Sequence, residues 1–241
     1  MSDKEVALIV GAGSGLSASL ARLFTKNNMQ VALASRNIKK LEDVCSETNS
    51  KPYICDAVVP EQVDILFDSV ITEIGIPNIV VYNASARARG PISEVDREEF
   101  NNAIMVSCYA GFLVGQKAAQ LMLSRGSGSI FFTGASASTK GYPQSAAFAM
   151  GKFGLRGLAQ SMARELSPKN IHIGHFVIDG GILKGPNDPR VKRSLSDEAT
   201  GVVIDSLLDP DAIAKTYLDV HNQHRSAWTW ELELRPWLEK F

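Results

Sequence analysis

Six short, almost uninterrupted apolar runs, spaced by longer amphipathic stretches, dominate this chain and leave few folds open to it. The runs are VALIVG (6–11), VALAS (31–35), PYICDA (52–57), NIVVYNA (78–84), SIFFTGA (129–135) and IHIGHFVI (171–178), followed late by WTWELEL (228–234). Runs without polar alternation suit parallel strands covered on both faces. The intervening stretches, such as Pro60 to Gly75 and Arg97 to Arg125, have the length and period of helices. Strand–helix–strand repetition implies right-handed crossovers with helices on both faces of the sheet. The expected architecture is therefore a doubly wound α/β domain of about seven parallel strands. At 241 residues it fits one domain, 1–241, uninterrupted by a linker or an internal repeat. Only Leu183 to Leu208 lacks clear periodicity. A long irregular segment inside a compact domain is expected to act as a lid.

Composition narrows the partners. A net charge of -1 does not steer the protein toward nucleic acid or an anionic membrane. Cys45, Cys55 and Cys108 are odd in number and show no CxxC spacing, which fits reduced thiols in a cytoplasmic protein. The first apolar run is too short for a membrane span and lacks a small-residue cleavage site after it. His172, His175, His221 and His224 have no acidic or cysteine neighbours at metal-ligand spacing, so no metal site is expected. Trp228, Trp230 and Trp237 read as core and interface aromatics.

The first strand ends in Gly11, Gly13 and Gly15, and a helix opens near Ser14. Glycines there let the backbone turn sharply and approach a pyrophosphate, which rests on the free N–H groups of the helix N-terminus. The spacing is not GxGxxG, because Leu16 stands three residues after Gly13. Gly11, Gly13, Ser14, Gly15 and Leu16 are the candidate cradle for a dinucleotide. The second strand ends in Ser35-Arg36, where an NAD site would place an acid on the ribose hydroxyls. A cation there suits a 2′-phosphate, so Arg36 favours NADP(H) over NAD(H).

This turn resembles the TGxxxGxG motif of the short-chain dehydrogenase/reductase family. Val10 stands at the threonine, Gly11 and Gly15 match, and Ser17 replaces the last glycine. The resemblance continues along nearly the whole chain and implies a Rossmann-type domain. Asp56 and Ala57 stand where the family contacts adenine. Tyr82-Asn83-Ala84-Ser85 stands at NNAG, so that Asn83 and Ala84 are further cofactor candidates. Phe148-Ala149-Met150-Gly151-Lys152 stands at YxxxK, and Ile178-Asp179-Gly180 replaces the usual proline-glycine turn.

In the family a tyrosine moves the proton, and a lysine four residues on holds the nicotinamide ribose. A serine thirteen residues before the tyrosine polarises the substrate oxygen, and an asparagine supports a proton relay. Carried onto this chain, the lysine is Lys152, while the other three positions hold Phe148, Ala135 and Ser107. Phenylalanine has no proton to give and alanine cannot polarise a carbonyl. A general acid is worth roughly 10²–10⁴ in rate and an oxyanion donor roughly 10²–10³. Tyr142, ten residues before Lys152, is the possible substitute acid.

Two functions follow. One is an NADP(H)-dependent oxidoreductase for a small carbonyl or alcohol, with a rearranged or substrate-assisted proton path. The other is a catalytically silent dinucleotide-binding sensor or oligomer partner, with no substrate. Arg87 and Arg89 follow the fourth strand, where an anionic substrate or cofactor phosphate could be held. Gly151, Gly154 and Gly157 form a helical stripe that lets another backbone or the cofactor approach. The resemblance implies pairing of that helix and the preceding long one in a homodimer or homotetramer.

Overall fold

The structure, a computed structural model, describes residues 4–184, 188, 190, 196–197, 202–203 and 207–238. Strands β1 (Val6–Val10), β2 (Gln30–Ser35), β3 (Lys51–Ile54), β4 (Ile79–Tyr82), β5 (Gly128–Thr133), β6 (Ile171–Ile178) and β9 (Glu231–Leu234) form one sheet. A two-residue pair, β7 (Ser196–Asp197) and β8 (Val202–Val203), stands apart from it. Helices α1 (Leu16–Lys26), α2 (Glu42–Thr48), α3 (Pro60–Glu73), α4 (Arg97–Ile104), α5 (Ala110–Arg125), α6 (Ala146–Leu166) and α7 (Pro210–His221) connect the strands.

The sheet order is β3-β2-β1-β4-β5-β6-β9 and every pairing is parallel. Strand order reverses between β1 and β4, which opens a crevice at their carboxyl ends. Alternate residues of each inner strand feed two cores. Leu8, Val80 and Phe132 pack with Val114 and Leu155 on one face. Ile9, Leu33, Val81 and Phe131 pack with Leu20 and Tyr217 on the other. This two-sided burial is why the inner strands read as continuous apolar runs.

Five elements differ from the sequence reading. The third strand was expected to be covered on both faces, but β3 is the sheet edge, with Lys51, Pro52 and Ile54 exposed. An edge is where proline, lacking an N–H for the ladder, is tolerated. Strands three, four and five end earlier than their apolar runs, so Cys55–Ala57, Asn83–Ala84 and Gly134–Ala135 leave the ladder at the crevice. The expected single helix from Arg97 to Arg125 is interrupted by a π-helical segment, Met105–Tyr109. There the buried Tyr82 hydroxyl donates to the Val106 carbonyl, taking up a backbone acceptor that a regular turn would use. The last strand begins at Glu231 rather than Trp228, whose ring stacks on His172 at 4.6 Å while its indole N–H donates to the Gln223 carbonyl. Most of the expected lid, 183–208, lies outside the described residues. Its ends meet where Ile182 bridges Leu208.

Candidate functional site

Backbone geometry builds the first wall of the crevice. Gly11 has φ +84°, and a Cβ there would lie 2.4 Å from the Ala84 nitrogen. Only glycine permits that approach of the β1–α1 turn to the end of β4. Gly13 and Gly15 have nothing within 4 Å of an added Cβ, so their backbone faces open space. Helix α1 begins at Leu16, two residues later than expected, with no side-chain cap and no acid in its first turn. Ser17, at the family's last glycine, accepts a 2.8 Å bond from Asn83 Nδ2. The serine therefore clips α1 to the end of β4, so the substitution does not simply loosen the packing.

An open cleft lies above β1, β2, β3 and β4. Its lining includes Gly11, Arg36, Asp56, Ala57, Asn83 and Ala84, six of the candidates named from sequence. Lys40 joins them from the turn after β2. It was missed, although a second basic residue one turn past Arg36 was a readable signal. Asp56 is held in place by its own amide, which donates to Gln62 Oε1 at 2.8 Å, while its carboxylate accepts from the Val58 amide at 3.3 Å. The glycine cradle and the uncapped α1 terminus fit a dinucleotide.

Further along the crevice, α6 carries Phe148 and Lys152 one turn apart. Lys152 is 2% exposed, and its ammonium nitrogen donates to the Thr133 carbonyl at 2.7 Å. Burial, assisted by the Arg87 charge, lowers its pKa from 10.5 to about 7. The Phe148 ring is buried, with Lys152 Nζ 5.9 Å and the Arg87 guanidinium carbon 4.2 Å from its centroid. Ala135 begins the turn after β5, and its amide donates to Ser138 Oγ at 3.1 Å. Ser107, fully buried in the π-helical segment, accepts from the Ala86 amide at 3.2 Å and donates to the Ala86 carbonyl at 3.3 Å. Tyr142 sits in the turn before α6 and is 43% exposed.

Two glycines of the α6 stripe face a closely packed neighbouring segment. A Cβ on Gly151 would meet Ser107 Cβ at 2.6 Å, and one on Gly154 would meet Cys108 Sγ at 2.7 Å. The close neighbour is the π-helical segment of the same chain. Gly157 alone of the three is open.

Beneath the site lies a polar chain that sequence reading missed. Arg156 donates two bonds to Glu231, at 2.6 and 2.8 Å, Glu231 meets His175 Nδ1 at 3.0 Å, and His175 Nε2 meets Ser138 Oγ at 3.4 Å. Burial lowers the His175 pKa to about 4 against the pull of Glu231, so the ring is neutral near pH 7. His221 has Glu5 as an ion-pair partner at 3.6 Å. These acids come from distant segments, which local spacing could not reveal. Asp179, at the family's proline, binds Lys140 at 3.3 Å and Arg235, and so ties the turn after β6 to the loop before α6.

The fold and cleft define an open α/β protein with a crevice at its switch point. The chain belongs to the short chain dehydrogenase family, whose model matches residues 5–188. A short-chain dehydrogenase from Rhodopseudomonas palustris is 33% identical and superposes with a TM-score of 0.80, over 98% of this chain and 100% of that one. The short chain aldehyde dehydrogenase 1 of Euphorbia lathyris is 27% identical over 177 residues, 71% of this chain and 62% of that protein's length. An actinorhodin polyketide ketoreductase variant, solved with NADPH, shares the fold at a TM-score of 0.85 and 21% identity, covering 100% of this chain and 99% of that one. No helix among the described residues is long and apolar enough to cross a membrane.

Proposed function

We propose that this chain is an NADP(H)-binding oxidoreductase for a small carbonyl or alcohol, with a proton-transfer site altered by substitution. The observation that carries the reading is the shared cleft of Gly11, Arg36 and Lys40, with the buried Ser35 where an NAD site would hold an acid. Arg36 and Lys40 would hold the 2′-phosphate, and the glycine turn with α1 the pyrophosphate. The NADPH bound to a ketoreductase of the same fold is consistent with this choice. Bound there, the cofactor supplies hydride chemistry. Lys152, fixed by the Thr133 carbonyl, would orient the nicotinamide ribose. Phe148 and Ala135 hold no exchangeable side-chain proton, so a substrate-assisted path or another group has to deliver one to the substrate oxygen.

Fluorescence titration tests the cofactor. NADPH should bind about ten-fold or more tightly than NADH, the worth of a charge-assisted contact, and Arg36→Asp should reverse that order. Equal affinity of the parent for both cofactors would overturn the reading.

Self-association is part of the proposal. Met150, Phe153, Tyr109 and Phe112 leave exposed apolar surface on α6, the π-helical segment and α5, and apolar patches of this kind favour contact with a second copy. Phe153→Glu should shift the protein to smaller species on a sizing column. A parent already monomeric at micromolar concentration would refute this part.

A further inference from the structure

Two of the substituted positions, Phe148 and Ser107, lie against the loop that carries Arg87. The Arg87 guanidinium rests over the buried Phe148 ring, 4.2 Å from its centroid. Its perch is fixed on both sides. Ser107 binds both backbone groups of Ala86, Ala88 is buried against Ala103 and Ala147, and the Gly90 amide donates to the Gln144 carbonyl at 3.3 Å. Among the described residues no hydrogen bond or ion pair occupies Arg87. Seated through the ring face, a guanidinium keeps its N–H edges for a planar, bidentate acceptor.

The Lys152 amine also lies near this ring, 5.9 Å from the centroid, with the neutral Thr133 carbonyl as its hydrogen-bond acceptor. Two basic side chains approach one apolar ring, and among the described residues neither is in an ion pair. The mutual repulsion is visible in Arg87 helping to lower the Lys152 pKa. An anion placed between them would relieve it.

We propose that Arg87 is the anion-binding group of the substrate site, and that the substrate is a small carbonyl or hydroxy compound bearing a carboxylate. The proposal rests on the oxidoreductase reading above for the word substrate, but its anion chemistry stands on Arg87 itself. A cofactor phosphate is the competing occupant. It is disfavoured because the phosphate features lie at the glycine turn and at Arg36 and Lys40, in a cleft that Arg87 does not line.

Calorimetry with the full chain separates the two, using oxamate and its neutral counterpart oxamide as probes, each with and without NADPH. Oxamate should bind more tightly than oxamide. Arg87→Gln should weaken oxamate by about ten-fold or more, the worth of a charged hydrogen-bond pair, while leaving NADPH affinity and melting temperature unchanged. Arg87→Lys should recover part of the loss. No oxamate binding by the parent, or a loss of NADPH affinity in Arg87→Gln with oxamate unaffected, would overturn the proposal. A parent that takes oxamate through Arg87 but never binds NADPH would keep the anion site and sink the oxidoreductase reading instead.

Discussion

Lys152 shows how one buried side chain links stability to pH. Its ordinary pKa is 10.5 and burial lowers it to about 7. Between those values the unfolded chain holds a proton that the folded chain has released, so stability rises with pH across the window. That contribution is lost as pH falls from 10.5 to about 7. Lys152→Met carries no such group. In the cofactor-free protein, its melting temperature relative to the parent should be several degrees higher at pH 6 than at pH 9, where about 1 kcal/mol is worth about 2–4 °C in a chain this size. A difference that does not change with pH would mean the amine is better solvated than its burial indicates. Lys152 and Phe148 were legible through the resemblance to YxxxK, and Arg36 through its place at the end of the second strand. The partners of His175 were not, since Glu231 lies 56 residues away in sequence and meets it only through the β6–β9 pairing.

Within elements, α6 and the π-helical segment behave as one unit. Periodicity identified a helix across 97–125, but an added residue in one turn leaves the apolar pattern almost unchanged, so the π segment was invisible. The glycines of α6 were legible as a stripe, whereas the identity of their neighbour depended on tertiary packing. Their differing surroundings make opposing predictions. Gly157→Ala meets no atom within 4 Å and should stabilise the helix by roughly 0.5–1 kcal/mol. Gly151→Ala would place its methyl 2.6 Å from Ser107 Cβ and should destabilise by about 1–3 kcal/mol, the usual cost of overpacking. Urea melts of both variants check this, and a Gly151→Ala variant as stable as the parent would contradict the packing described. Ser107 would be displaced too, and with it the anchor of the Arg87 loop.

Across the whole molecule, the parallel sheet could be read from its apolar runs, but which strand lies at the edge could not. Pro52 and Lys51 marked β3 as that edge more surely than hydrophobicity did. Similarly, the chain Arg156–Glu231–His175–Ser138 joins α6, β9, β6 and the turn after β5, elements drawn from across the sequence. His175 is lowered from 6.5 to about 4, so below pH 6.5 the unfolded chain gains a proton that the folded chain refuses. Stability should fall as pH drops from 6.5 toward 4. His175→Gln should flatten that part of the pH profile in thermal melts, even if it melts lower throughout. An unchanged slope would place the acid sensitivity elsewhere.

On the function proposed above, this chain binds the cofactor but carries no hydroxyl at positions 148 and 135, which hold Phe148 and Ala135. The most direct measurement is NADPH oxidation with an activated dicarbonyl, comparing the parent with Phe148→Tyr/Ala135→Ser and with the triple variant adding Ser107→Asn. Lys152 lies one turn from Phe148 with its ammonium 5.9 Å from the ring, so a phenol there would feel its charge. The double variant should turn over at least about 100-fold faster than the parent, the low end for a positioned general acid. The triple variant has an opposing effect to overcome, because Ser107 anchors the Ala86 backbone. A parent that reduces the dicarbonyl as fast as the repaired variants would contradict the claim and transfer the proton donor's role to another residue, Tyr142 first.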